Sequence, residues 1–428
     1  MGNSSQPAPH PPVPRLSVPR LSVPRLSVPR LSVPRLSVLD QSPVPDGSTP
    51  AQALANSLDL ARHVDRLGYT RLWYSEHHAM DLLACTAPEI LIARAAAETS
   101  RIRVGSGGIM LPHYSPLKVA EVFRTLHAMF PNRIDLGIGR APGGGQLEAY
   151  ALRRNRDASQ KDDFPQQLAE LRAFLHPERW AEYADARGPH PFARIRVSPD
   201  APGAPDLWLL GSSMWSAVTA AQEGLPYAFA HFFSPIQTRE AIEYYQRNFV
   251  PSTTQPGAPS SPTALSSAKV GSLPAPGSQD GRTQPEATLA IGVICAETQQ
   301  EADHLHASVR LLQRRIRMDD RRPVATPEDA LRELEAKPTA PNPLLSFTAG
   351  SLDQPESEFP RYIVGTPEKV RTDLLHLATE LNLNELIINT ITHNHEARKR
   401  SYTLLAEAMP QPNEEPAATT KLVAAHAN

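Results

Sequence analysis

The chain has 428 residues, with 43 Lys and Arg against 45 Asp and Glu, and its formal charge of −2 lacks the basic surplus expected of a nucleic-acid protein. Its two cysteines, Cys85 and Cys295, exclude a disulfide framework or a Cys-rich zinc site and fit a reducing compartment. No apolar run approaches the roughly 18 residues a membrane span needs, and the N-terminus has no apolar leader, so a soluble, cytoplasmic protein is predicted.

Proline divides the chain. Of 44 prolines, twelve fall in 1–50, seven in 251–288, seven in 322–360 and three in 410–416. These stretches are rich in Ser, Gly and Gln and too poor in large apolar residues to offset the entropy of ordering. The composition therefore predicts a disordered segment at 1–34 and a folded unit at 35–409. That unit carries a low-complexity insertion at 251–288 and an irregular one at 322–360, and a disordered tail follows at 410–428. Residues 14–38 are five tandem copies of Pro-Arg-Leu-Ser-Val. A period of five is too short for a solenoid unit, which needs ~20–50 residues, and each proline opposes helix and central strand. An interaction arm carrying Arg15, Arg20, Arg25, Arg30 and Arg35 is one reading, and a slipped duplication without function is the simpler one. Only the last copy continues without proline, into Leu36-Ser37-Val38-Leu39-Asp40, so it alone is expected to be a strand.

From there, short apolar runs alternate with amphipathic helices. Strands are expected at 36–40, 71–75, 102–106, 133–137, 207–211, 227–230, 289–295 and 385–389. Helices are expected at 50–67, 88–99, 116–129, 164–175, 213–223, 235–249, 299–317, 367–381 and 395–408. Thr366, Pro367 and Glu368 supply a capping hydroxyl, a first-turn proline and an acidic group for the penultimate helix. Eight buried strands with helical crossovers predict an α/β fold, a single-domain (β/α)8 TIM barrel. A doubly wound open sheet is the runner-up. It would want a glycine-rich turn after the first strand, where Asp40-Gln41-Ser42-Pro43 stands instead.

In a barrel, function gathers at the C-terminal strand ends. The second strand runs into Ser75-Glu76-His77-His78. Adjacent histidines point apart and no third ligand follows at helical spacing, so a metal site is weakly supported, whereas acid–base or hydrogen-bonding work suits imidazoles. The third strand ends in Val104-Gly105-Ser106-Gly107-Gly108-Ile109, where glycines mark a bulge or a close approach of ligand. The fourth releases Arg140 into a glycine-rich loop, and an arginine's planar fork suits phosphate. The fifth ends in Gly211-Ser212-Ser213 at a helix start, which is either an ordinary serine cap or an anion site. Arg140 and Ser212/Ser213 together point to a phosphate-bearing cofactor.

Three motifs at this order and spacing, Leu72-Trp73-Tyr74-Ser75-Glu76-His77-His78, Val104 to Pro112 and Arg133 to Arg140, resemble those of the bacterial luciferase-like monooxygenases, and most closely the small single-chain members. The resemblance covers roughly residues 36–250 and 288–408. It implies a TIM barrel using reduced FMN and O2, with a separate flavin reductase as partner, a small organic substrate and a homodimer. By position it implies that Glu76 and His77 line the flavin pocket, His77 as the acid–base. Gly107 and Gly108 lie beside the ring, joined by a cis peptide, and Arg140, Ser212, Ser213 and Ser216 hold the phosphate. Gly139 stands where luciferase has a reactive cysteine, so that thiol has no counterpart here. The five-copy repeat and the 251–288 insertion are not family features. The alternatives are a deazaflavin-dependent dehydrogenase, which needs no O2, and a flavin-binding protein without turnover.

Overall fold

A computed structural model describes residues 33–152, 162–185, 188–251, 282–318, 320–336 and 357–409 of the chain. Residues 1–32, which hold the first four repeat copies except Val33, most of the 251–288 insertion and the 410–428 tail lie outside the described residues.

The strands are β1 (Arg35–Asp40), β2 (Arg71–Tyr74), β3 (Arg103–Met110), β4 (Ile134–Gly139), β5 (Asp206–Gly211), β6 (Tyr227–Ala230), β7 (Ala287–Cys295), β8 (Tyr362–Gly365) and β9 (Glu385–Asn389). The helices are α1 (Pro50–Leu67), α2 (Pro88–Glu98), α3 (Pro116–Met129), α4 (Gln146–Leu152), α5 (Phe164–Leu175), α6 (Met214–Glu223), α7 (Thr238–Asn248), α8 (Gln299–Arg317), α9 (Pro327–Glu335), α10 (Pro367–Glu380) and α11 (His395–Ala408). All strand pairs within the sheet are parallel, and the order β1 to β7, then β9, returns to β1 and closes an eight-stranded barrel. The expected (β/α)8 barrel is what the chain forms, and the last repeat copy is its first strand.

Helix boundaries follow capping chemistry. Thr49 Oγ1 accepts from Gln52 N at 3.1 Å, Pro50 opens α1, and Gly68 in the left-handed region ends it. Thr366 occupies the cap position of α10 as expected, but its side chain makes no capping bond there. Among the described residues no helix is long and apolar enough to cross a membrane.

Three expectations are corrected. The insertion ends before residue 287, because Ala287 and Thr288 already pair with Tyr227 and Ala228 on β6. The 322–360 stretch is not wholly irregular: it contains α9, whose Ala330 is fully buried beside Ala307, Leu311 and Ala325. The ninth strand, β8, was not anticipated. It lies outside the closed ring and pairs with the upper half of β7, Gly292 to Cys295, where β6 has already ended. Four residues between proline-rich sequence and a capped helix carry too little periodicity to stand out.

Inside the barrel, Leu39, Trp73, Trp208, Ala228, Ala290 and Ile387 form an apolar layer, with the two indoles edge to face at 5.2 Å. Below it, at the N-terminal strand ends, lies a layer of paired charges. Arg71, only 5 % exposed, donates to Asp135 Oδ2 at 3.0 Å and Glu385 Oε1 at 2.6 Å, and its guanidinium stacks 4.7 Å from Trp208. Arg103 joins Asp135 to Asp206, and Arg35 reaches Glu385 at 3.1 Å. These pairs seal the barrel floor and leave the other end open for chemistry.

Candidate active site at the C-terminal strand ends

Two groups of side chains assemble at the opposite end. The first centres on Glu76, whose fully buried carboxyl lies just past β2. Glu76 Oε1 contacts His78 Nε2 at 2.7 Å and accepts from Tyr114 OH at 2.8 Å, while Oε2 accepts from Met110 N at 2.9 Å. Beside that carboxyl the Tyr114 phenol is pushed well above its ordinary pKa, first by burial and then by Glu76. The imidazole partner of Glu76 is thus His78, not His77. The ring of His77 contacts Ser75 Oγ at 3.2 Å, and burial, with the neighbouring His78, lowers its pKa to about 4. His77 is therefore neutral near pH 7: it can give or take a hydrogen bond but holds no stored proton to donate.

The glycine-rich loop after β4 is laid against this group. Gly143 O accepts from His78 N at 2.8 Å, and Pro142 O accepts from His113 Nε2 at 2.8 Å. His113 meets His78 ring edge to face at 5.7 Å, and its Nδ1 is buried without a partner.

Between the two groups runs β3, and the Gly107–Gly108 peptide is cis. A Cβ on Gly107 would come within 2.7 Å of Leu39 Cδ1 and 2.9 Å of Trp73 Cβ, so only glycine fits over the apolar layer. The ladder to β4 shifts register between Gly107 and Ile109, which makes the bulge that the paired glycines imply.

The second group surrounds the start of α6. Arg140 lies 4.4 Å over the Trp215 ring and pairs with Asp162 Oδ2 at 2.9 Å, both charged groups being 45 % exposed. Ser213 is the N-cap, partly accessible with Ser212, and its hydroxyl makes no capping bond. Met214 N reaches only Gln237 Oε1, at 3.4 Å. The structure brings Arg140 to this helix start, as the sequence suggested. Ser216 differs: it is buried, its hydroxyl donates to Ser213 O at 2.7 Å and meets Tyr227 OH at 3.0 Å, and a Cβ on Gly211 would strike it at 2.2 Å. Ser216 shapes the turn from beneath instead of facing outward. Near the same mouth, Asn389 Nδ2 donates to Gln41 Oε1 at 2.9 Å, while Asn389 Oδ1 is buried without a partner.

Sequence reasoning missed Tyr114, Trp215, Asp162 and Asn389. Trp215 stands two residues past the serine pair and was within reach of a local reading. Tyr114 is 38 residues from Glu76, and nothing local joins them.

A family profile described as luciferase-like monooxygenase matches residues 35–382. YwcH of Bacillus subtilis strain 168 is 39 % identical over 370 residues, spanning 86 % of this chain and 97 % of that protein. The N-acetyl-S-alkylcysteine monooxygenase of the same strain is 34 % identical over 372 residues, spanning 87 % and 97 %. The crystal structure of apo-MsnO8 matches with a TM-score of 0.72 at 44 % identity, spanning 88 % of this chain and 97 % of that one. Two more distant structures share the fold alone. One is the oxygenating constituent of 3,6-diketocamphane monooxygenase from Pseudomonas putida in complex with FMN, at 17 % identity and a TM-score of 0.59, spanning 88 % and 97 %. The other is an F420-dependent secondary alcohol dehydrogenase, at 12 % and 0.55, spanning 89 % and 100 %. The barrel, the strand-end groups and these likenesses agree: the chain belongs to the luciferase-like monooxygenase family.

Proposed function

We propose that the chain is an FMN-dependent monooxygenase that oxygenates a small organic substrate, with reduced FMN delivered by a separate reductase. The observation that carries this reading is the placement of Arg140, over Trp215 at the open start of α6, at the end of the strand that pairs with the Gly107–Gly108 bulge. A guanidinium, first-turn N–H groups and two accessible serines suit a phosphate. The glycine pair lets backbone approach a flat ring, and the unpartnered Asn389 Oδ1 suits a ring N–H. Reduced FMN, when bound, supplies the electrons that let one oxygen atom of O2 enter the substrate.

The chain's own part is positioning and proton handling. Arg140, Ser212 and Ser213 bind the phosphate end. Leu39, Trp73 and Trp208 close the barrel beneath the site and keep water out. Glu76, held by His78, Tyr114 and Met110 N, keeps a proton-exchanging group fixed beside the glycine bulge. His77, neutral because of its lowered pKa, offers an acceptor at its ring.

The test is oxygen consumption. With reduced FMN and a thioether such as N-acetyl-S-methylcysteine, the oxygen consumed should appear as an oxygenated product, seen by mass spectrometry, in place of the hydrogen peroxide that reduced FMN alone yields. Substrate oxidation with an oxidised deazaflavin as hydride acceptor and no oxygen uptake would instead favour the dehydrogenase reading. Oxidised FMN should also protect the protein against thermal unfolding, since a ligand of the native state raises Tm by mass action.

A further inference from the structure

Residues 320–325, between α8 and α9, form a firmly anchored segment at the barrel mouth. Val324 is fully buried in one cluster with Leu82, Leu83 and Ile294. Its N–H donates to Val44 O at 2.8 Å and its carbonyl accepts from Asp46 N at 2.8 Å, both in the loop after β1. Arg315 Nη1 donates to Pro323 O at 3.1 Å, and Arg322 pairs with Asp320 at 2.6 Å. The segment is a fixed point, and Arg321 reaches out from it in two directions.

Arg321 Nη1 donates to Ala79 O at 3.0 Å and to Glu148 Oε1 at 2.9 Å. Ala79 directly follows His78 and holds φ at 51°, a left-handed conformation unfavourable to a residue with a Cβ. Glu148 lies in the first turn of α4, just past Gly143-Gly144-Gly145. One guanidinium thus ties the loop after β2 to the loop after β4. The two charged side chains are only 28 % and 21 % exposed, so solvent screens them less than a surface pair.

The tied loop has little packing of its own. Its three glycines carry no side chain, and glycine loses more conformational freedom on ordering than any other residue. In α4 only Ala149 is buried, and Leu147 is 77 % exposed. Yet the loop lies hard against the site. A Cβ on Gly143 would come within 3.0 Å of Glu76 O, and one on Gly144 within 3.1 Å of His78 O. Gly143 O accepts from His78 N at 2.8 Å, so the loop fixes the backbone of the residue whose ring meets Glu76 at 2.7 Å.

We propose that Arg321 is a positioning residue that latches the glycine loop over Glu76 and His78, keeping that pair aligned and water out of the site. That the aligned pair serves oxygen transfer rests on the monooxygenase reading; the latch itself does not.

The latch can be read without any cofactor, by amide hydrogen exchange at single-residue resolution in the full chain. The His78 amide, bonded to the loop, should exchange at least about five-fold faster in Arg321→Gln. The His77 amide, bonded to Cys85 O at 2.9 Å within the loop after β2, should not change, nor should the amides of β2 and β3. Glu148→Gln removes the same pair from the other side and should act alike, and the double variant should exchange no faster than the faster single one. Arg321→Lys keeps the charge and should restore most of the protection. Circular dichroism shows whether each variant keeps the fold; if Arg321→Gln does not, Glu148→Gln decides. With reduced FMN and N-acetyl-S-methylcysteine, Arg321→Gln should divert at least about two-fold more of the consumed oxygen into hydrogen peroxide. FMN affinity should stay the same, because Arg140 keeps its place on Trp215. Unchanged exchange at His78, or faster exchange spread through His77 and the strands, would overturn the proposal, as would local opening with no change in peroxide yield. Local opening at His78 in a chain whose wild type binds no FMN would retain the latch and overturn the flavin reading.

Discussion

The two ends of the barrel use the same residue types to opposite effect. At the floor, Arg71, Arg103 and Arg35 are cross-linked through Asp135, Asp206 and Glu385, and Asp135 also accepts from Trp73 Nε1 at 2.9 Å. Burial there is tolerable because each charge has two or more partners, and the Asp135 carboxyl is held below its usual range by the arginines although burial opposes it. At the mouth, among the described residues, Arg140 has one exposed carboxylate, and Asn389 Oδ1 and His113 Nδ1 lack partners. Saturated pairing makes a floor that holds shape, and unsaturated pairing makes a mouth that can take a ligand. The difference lies in the supply of partners, not in the charges themselves.

The contrast breaks most visibly at the floor. Asp135→Ala leaves two arginines facing one another inside the barrel and should cost about 3–5 kcal/mol of stability. Denaturant unfolding measures this, and the fraction that remains folded should bind FMN normally. Arg140→Ala is the converse. It should leave the unfolding midpoint almost unchanged, weaken FMN by about ten-fold or more and spare riboflavin, which lacks the phosphate. Equal weakening of both ligands in calorimetry would remove Arg140 from the phosphate.

A third prediction concerns His231, buried at the end of β6. Its ring meets Thr238 Oγ1 at 2.7 Å and donates from Nε2 to Pro360 O at 3.0 Å, and burial lowers its pKa to about 4. The unfolded value is near 6.5, so the unfolded chain takes up the proton first. Stability is therefore full above about pH 6.5 and falls as pH drops toward 4. From His231 the loss between pH 7 and pH 5 should be about 1–2 kcal/mol, and His231→Gln should flatten that part of the profile of Tm against pH.

The smallest effect sharpens the comparison at the mouth. Asp162 occupies Arg140 from an exposed position, where such pairs contribute under ~1 kcal/mol. Asp162→Asn should therefore tighten FMN by about two- to five-fold without altering riboflavin. Weaker FMN binding in this variant would mean that Asp162 helps to hold the arginine in place.

The sequence by itself determined the barrel and the address of its chemistry. Alternating short apolar runs and amphipathic helices are local patterns, and so are the strand-end signals Glu76-His77-His78, Gly107-Gly108 and Arg140, each contained in one short segment. Even the choice of the last repeat copy as β1 followed from where proline stops. What remained hidden depends on partners distant in sequence. Ser37 meets Glu385 across 348 positions, and Tyr114 meets Glu76 across 38. Whether His77 or His78 faced Glu76 could not be read from adjacent identical residues, because alternate side chains leave an extended chain on opposite faces and only the loop packed above decides which is taken. Ser216 was a ligand by the family resemblance alone, yet its hydroxyl turns inward to Ser213 O and Tyr227 OH, close against Gly211. Local periodicity fixes elements, whereas hydrogen bonds and charge pairs are settled by which surfaces closure brings within about 3 Å.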